Sequence, residues 1–402
     1  MAMKKLMVAL GVVLLVAGCV HERRRPAQDP AREQPAPSAC AGRAQPQAVS
    51  LDARLRSALS FLLKTQKKDG GWGSPLPERP ADIYTGGVNS FHAFGNASSA
   101  LCCMALLAQP SDPDLDAAML KGYRYLCDAP DAVRISGDTF YNVWAHGYMI
   151  EALSRGLQDK RLETLWPAMR KRAEFEIRRL FKIQSLDGGF GYYDFGWVLA
   201  HPTGEISTPM SSTAALVGLR AAKDAGLAIP EKGLKAALGF LNRMRLPNGA
   251  YLYATEHQYY PINQAVMVRG SLGRSQGGNC ALGEWGEAVS KEWIERALET
   301  FEREHVFIEI GRCRQYPHEA WYATAPYYYY FGHYYASRNL FLLDQGPALK
   351  FARWMADTVG KTQVEDGSFW DYPLFGYTKA YGTGYGVLIL SNCRKVIAGA
   401  GR

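Results

Sequence analysis

The sequence lacks most of the signals that assign a chemistry outright. It contains no His-Glu-x-x-His, which sets aside the zincin arrangement. Gly360-Lys361-Thr362 mimics the end of a phosphate-binding loop, but the glycine required upstream falls on Met355, so the loop is not formed. There is no Cys-x-x-Cys, and the eight cysteines fit no small disulfide framework. Most are therefore expected as small buried apolar side chains. Charged residues are 21% of the 402-residue chain and the net charge is +8, too mild to suggest a nucleic-acid partner. Disorder is excluded by an apolar content of 48%.

Long hydrophobic runs are scarce too. Leu6–Ala17 is the one extended stretch, too short for the roughly 20 residues of a membrane span. It follows Lys4 and Lys5 and ends in Val16-Ala17-Gly18-Cys19, the pattern of a signal peptide. The cysteine after two small residues resembles the lipobox of bacterial lipoproteins. That resemblance implies a signal peptide over 1–18, lipidation at Cys19, and a membrane partner reached through that lipid. The body would then lie outside the cytoplasm in the bacterial cell envelope, on the periplasmic side of any outer membrane. Residues 19–50 are rich in Pro, Ala, Gln and Arg without periodicity, as in a flexible tether. From Leu51 onward 39 basic and 35 acidic residues nearly balance.

What the sequence does have is a repeated phrase. Gln66-Lys-Lys-Asp69-Gly70-Gly71-Trp72 fits Q-x3-G-x-W. Gln184 through Gly188 to Phe190, and Gln363 through Gly367 to Phe369, repeat it with a different ring. Arg245-Leu-Pro-Asn248-Gly249-Ala250-Tyr251 is a degenerate copy. The intervals of 118, 61 and 118 residues imply a unit of about 59 and six copies, with eroded ones near 125 and 304. Asp or Asn before Gly favours a tight turn. The glutamine amide can satisfy backbone groups freed at a neighbouring helix end. These residues are structural.

Segments before the turns mix charge with apolar residues at three-to-four spacing, as in Met169–Gln184 and Lys291–Glu304. Segments after them, such as Ala97–Ala108 and Ser212–Ala222, are small and apolar nearly all round. The first kind faces water along one stripe and the second is buried. Six such hairpins predict an all-α fold over 51–402: an (α/α)6 toroid with inner and outer helix rings. Asp112-Pro-Asp114-Leu-Asp116 precedes a helix and is expected to cap it.

The phrase resembles the QW repeat of squalene-hopene cyclases, oxidosqualene cyclases and related terpenoid-cyclase and protein-prenyltransferase toroids, over essentially all of 51–402. The resemblance implies a lipid or isoprenoid ligand. The cyclases' acid motif, Asp-x-Asp-Asp, is absent, and so is the Asp-x-Cys of the zinc prenyltransferases. No metal site and no cofactor are expected. Toroids with a thioester need Cys-Gly-Glu-Gln, whereas this chain has Cys280-Ala-Leu-Gly283.

Candidates come instead from the inner-helix starts. Tyr141-Asn142-Val-Trp144-Ala-His146-Gly-Tyr148 in the second repeat matches Tyr328-Tyr329-Tyr330-Phe-Gly-His333-Tyr-Tyr335 in the fifth. The two repeats stand opposite in a six-membered ring, with axes about 16–20 Å apart. Inward-facing His146 and His333, with Glu284, are candidate acid–base groups, and Tyr330 is a candidate cation stabiliser. Asn142, Trp144, Tyr329 and Cys280 would line the cavity, while Arg269 and Arg274 would hold an anionic group at its mouth. The alternatives are a noncatalytic lipoprotein that binds a peptide or partner protein, and a glycan hydrolase or lyase with paired carboxylates.

Overall fold

The computed structural model describes residues 49–76, 90–132, 143–192, 207–260 and 262–400. Cys19, the leader, most of the tether and Asn142 lie outside them. The described residues contain twelve main helices. The odd-numbered ones are α1 (Leu51–Thr65), α3 (Pro113–Asp128), α5 (Trp166–Lys182), α7 (Glu231–Met244), α9 (Lys291–Arg303) and α11 (Gln345–Gly360). The even-numbered ones are α2 (Ser90–Leu107), α4 (Val143–Gly156), α6 (Pro209–Asp224), α8 (Leu272–Glu284), α10 (Tyr328–Asn339) and α12 (Thr378–Gly399).

Hydrophobic patterning sorts them into two rings. The even helices contact one another in the order α2, α4, α6, α8, α10, α12 and back to α2, a closed inner ring. All of α10 except Arg338 is buried. Helix α2 is long and apolar enough to cross a membrane by length and composition, but most of it is buried inside the ring. The odd helices bury one stripe each, as α9 does through Ile294, Leu298 and Phe301. The architecture is the (α/α)6 toroid. Each hairpin runs outer then inner, so the inner helices are parallel and their N-termini share one end of the ring. Small residues let them close up: a Cβ on Gly218 of α6 would stand 2.5 Å from the Gly147 carbonyl oxygen of α4.

The repeated phrase is the joint between hairpins. The Gln66 amide donates to the Gly70 carbonyl of its own turn and to Ala118 in α3, the next outer helix, both at 2.9 Å. Gln184 joins Gly188 to Gly233 of α7 in the same way. Gln363 joins Gly367 to Arg54 of α1, both at 2.9 Å, and so ties the last hairpin to the first. The Asp69 side chain accepts from the Gly71 N–H at 2.9 Å. The N–H groups of Trp72, Phe190, Tyr251 and Phe369 donate to hydroxyls of Ser99, Ser212, Ser271 and Thr383 on or beside inner helices. Three of these turns are thus fastened outward by an amide, the degenerate one instead through Arg245 to the Ala288 carbonyl. All four are fastened inward by a hydroxyl, and the four rings are fully buried.

Asp112 caps α3 as expected, accepting from the N–H groups of Asp114 and Leu115. Cys102, Cys103, Cys280 and Cys393 are buried and free, and Cys127 is free and half-buried. Cys313 departs from that expectation and is disulfide-bonded.

Two turn glycines separate conformational strain from steric contact. Gly249 has φ 90° with nothing near its missing Cβ, whereas Gly367 has φ 87° and its Cβ would lie 2.5 Å from the Ser57 carbonyl oxygen of α1. Gly249→Ala is expected to cost roughly 1–2 kcal/mol, for the left-handed backbone alone. Gly367→Ala adds a clash of about 1–3 kcal/mol at the ring closure. Denaturant melts of the two variants should differ in that order; equal losses would show that the contact with α1 contributes nothing.

Candidate functional site

Helical spacing decides which side chains reach the ring axis. On α4, Trp144, Tyr148, Glu151 and Arg155 follow at steps of four, three and four and share one face. On α12 the same face carries Tyr381, Tyr385, Leu388, Asn392 and Lys395. Two chambers result, one at each end of the ring.

The chamber at the N-terminal ends of the inner helices holds about 70 Å³ of free space, small beside the roughly 300–1,000 Å³ of usual small-ligand pockets. Its wall is aromatic or apolar throughout: Trp144, Tyr148, Tyr327, Tyr372, Tyr381 and Tyr385 form most of it, completed by Phe94, Tyr192, Met210 and Leu374. The rings hold one another edge-on, Trp144 on Tyr148 at 5.5 Å and Tyr148 on Tyr385 at 6.1 Å. The Tyr148 and Tyr385 hydroxyls bond to each other, so those polar atoms are already satisfied and ring surface is left to a ligand.

One acid stands directly behind this wall. Asp371 is fully buried, two residues after the ring of the sixth turn. Its Oδ1 is hydrogen-bonded to the Tyr381 hydroxyl and its Oδ2 accepts the Tyr330 N–H at 3.1 Å. Burial raises its pKa to about 7, against the opposing pull of these hydrogen bonds and of Arg312. The Tyr381 hydroxyl is the donor to Oδ1, as the Tyr330 N–H is to Oδ2. A carboxyl that is roughly half protonated near pH 7 is thus linked through one phenol to the cavity.

The opposite chamber is larger, an open basin of about 560 Å³ at the C-terminal ends of the inner helices. Here Arg338 donates to Glu151 at 2.5 Å and to Glu284 at 2.6 Å, and the Tyr334 hydroxyl donates to Glu151 at 2.9 Å. Burial pushes the Glu151 carboxyl up, but Arg338 and Arg155 outweigh it and hold the group below the ordinary range. Arg155, Arg338 and Lys395 all line this end, where cations offset the carbonyl ends of parallel helices.

The residues expected from sequence divide sharply. Trp144 lines the aromatic cavity. Glu284 shares a face with Cys280, whose thiol donates to it at 3.4 Å, but that face meets the opposite basin. Neither histidine faces inward, contrary to expectation. His146 stands two residues beyond Trp144, about 200° round the helix, and its Nδ1 meets Glu176 of outer helix α5 at 2.5 Å. His333 lies 3.1 Å from His305, Nε2 to Nε2, and packs on Phe301 and Trp354 of the outer ring. Burial, and His305 beside it, drive its pKa well down. Tyr330 bonds Thr362 at 2.8 Å and Tyr329 stacks on His333; neither lines the cavity. Arg269 pairs with Glu304 at 2.8 Å, and Arg274 lies between the Tyr253 and Tyr328 rings, so both arginines brace a connection. In the paired pattern of repeats two and five, the signal was Trp144 and Tyr148 rather than the imidazole between them. Asp371 was signalled only by an acid set among Phe369, Trp370 and Tyr372.

No protein-family model and no curated protein matches the sequence. Solved structures do. The chain is similar to D-mannose isomerase, with a TM-score of 0.55 and 13% identity over 87% of this chain and 97% of that one. It is similar to the GH76A alpha-1,6-mannanase of Salegentibacter sp. HEL1_6, with a TM-score of 0.54 and 8% identity over 86% and 100%. The type II terpene cyclase MstE of Scytonema follows at a TM-score of 0.47 and 14% identity, over 86% and 98%. The isomerase and mannanase likenesses establish the toroid fold, and at such identities the fold alone.

The buried acid makes a stability prediction with a definite sign. The Asp371 pKa is about 7 when folded against 3.8 as its ordinary value. The folded state therefore holds an extra proton between those values, and stability is lost as pH rises through 7. Asp371→Asn, which cannot ionise, should be more stable than the parent at pH 9 by up to roughly 4 kcal/mol. The advantage should shrink toward pH 4. Thermal melts across that range test it, and a pH-independent difference would contradict a neutral Asp371.

Proposed function

We propose that this chain binds a lipid of isoprenoid type in the aromatic cavity, and that Asp371 delivers a proton to it through Tyr381. The observation that carries the reading is the cavity wall, ten residues of ring and hydrocarbon with one buried acid behind them. Burying a chain of CH₂ and CH₃ groups there yields about 0.8 kcal/mol per group. A cation formed on the ligand would face aromatic rings. In the proton step, with Asp371 protonated, the Tyr381 O–H turns from Oδ1 to the ligand and passes its proton to a double bond while the Asp371 O–H passes its own to Tyr381 oxygen. That leaves the Asp371 carboxylate as the eventual proton acceptor. His146, His333 and Tyr330 have no part in this step, because none lines the cavity.

The lipobox-like leader supports placing the protein at the cell envelope, tethered by Cys19 with the body outside the cytoplasm, where membrane-derived lipids are at hand. A glycan-cleaving role would rest on Glu151 and Glu284 in the opposite basin. Arg338 stands between those carboxylates and bonds both, an arrangement that does not divide them into acid and base.

Native mass spectrometry on the purified chain, with geranylgeraniol and farnesol as probes, tests the reading. Trp144→Ala should weaken binding about tenfold, the scale of one lost large ring contact. Asp371→Asn should leave binding within about twofold and abolish conversion. Conversion by the parent should fall above pH 7, as the acid ionises, while binding stays level. Absence of binding to either probe, with Trp144→Ala indistinguishable from the parent, would defeat the proposal.

A further inference from the structure

The exposed large apolar side chains are unequally divided between the two ends of the ring. Phe341 alone lies on an inner-to-outer connection, whereas the other nine among the described residues lie on outer-to-inner connections, at the aromatic cavity's end. Seven of the nine fall on two connections, Tyr259, Tyr260, Ile262 and Met267 before α8 and Val306, Tyr316 and Trp321 before α10. Ile262 is 85% exposed and Trp321 60%. Scattered apolar residues on a surface need no explanation, but a concentration on one face does.

These two connections are knitted into one platform. The Tyr253 hydroxyl meets His318 Nε2 at 3.2 Å, and a Cβ on Gly270 would strike the backbone carbonyls of both Gln264 and Tyr322. Phe307 packs on Trp321 and Tyr322 from below, and Arg269 stacks on Phe307. The platform is continuous with the cavity wall: Tyr192 meets Tyr253 oxygen to oxygen at 3.4 Å, and His318 rings against Tyr327 at 6.5 Å.

We infer that this platform docks on the surface of a phospholipid bilayer. Trp and Tyr beside aliphatic side chains suit the headgroup boundary, where a ring body and a polar tip are both accommodated. Residues 245–271 and 304–327 together hold four Arg and four Glu, so docking is apolar rather than electrostatic and does not require anionic lipid. The 32 residues from Cys19 to Ser50 would, as a flexible tether, hold the body within roughly 30 Å of the membrane that carries the anchor. At such a high effective concentration a modest patch suffices. That docking serves ligand entry rests on the cavity reading above; the docking itself rests on the exposed face alone.

The test uses the full chain in phosphatidylcholine vesicles, with a protease site placed within residues 26–36. After cleavage, the freed body should float with the vesicles and remain there in 0.5 M salt, roughly as expected for uncharged contact. The double variant Ile262→Asp, Trp321→Asp should reduce the bound fraction at least tenfold, about the effect of two charges placed in an apolar contact. Phe341→Asp, at the opposite end, should leave it unchanged. Both platform positions are exposed, and circular dichroism checks that the variants fold. Release of the parent body on cleavage, or equal retention of the double variant, would overturn the inference. So would a vesicle-free dimer broken by the same variant, which would make this face a contact between copies. Loss of lipid binding in Trp144→Ala is scored separately, so failure of the cavity and failure of the platform remain distinguishable.

Discussion

Closing the ring requires that the last hairpin meet the first. Gln363 Nε2 bonds its own turn and the Arg54 carbonyl 309 positions away, Arg54 donates to the Gly360 carbonyl, Gln109 bonds Ser391, and α12 packs on α2. The inner helices are apolar on every side, so no hairpin is stable in isolation; each needs an inner neighbour on both flanks and an outer helix behind. A ring satisfies that demand without end caps, provided the final joint is made. Gly367 has to lack a side chain there because α1 passes over it, and the same amide–glycine geometry recurs at Gln66 and Gln184. Repetition of one turn therefore substitutes for long-range specificity.

The fold was legible from sequence because its information is local. Four anchors in the turn phrase set the period, and the contrast between Lys291–Glu304 and Ser212–Ala222 set which helices are outside. The site was less legible because it depends on azimuth. His146 and Tyr148 are two residues apart, yet one faces Glu176 on the outer ring and the other faces the axis. Residue type favoured the histidine; helical geometry favoured the tyrosine. A stricter reading of faces would have grouped Trp144 with Tyr148 and Tyr381 with Tyr385. Asp371 lay beyond such a reading, since its raised pKa comes from burial, and burial is fixed by helices far apart in the chain.

Parallel inner helices give the toroid two unlike ends. Backbone N–H groups converge around the aromatic chamber and carbonyls around the basin, and the side chains follow that polarity. Arg155, Arg338 and Lys395 collect at the carbonyl end, while rings and one buried acid collect at the other. The partially positive end favours a carboxylate over its acid, so it is burial among rings and hydrocarbon that raises the Asp371 pKa. The glutamate pair on Arg338 then reads as the electrostatic counterweight of the architecture, a reason for charged residues deep in a helical ring that requires no substrate.

The tyrosine layer has a kinetic meaning. Tyr148 and Tyr385 meet across the axis hydroxyl to hydroxyl, and Tyr334 packs on Tyr385 at 5.3 Å before reaching Glu151. The toroid is a ring in topology but not a tunnel. Whatever enters the aromatic chamber is in a blind alley, and it departs by the doorway it used. For the ligand proposed above, an occupant would have to vacate before its successor is admitted, so exchange would be governed by residence time.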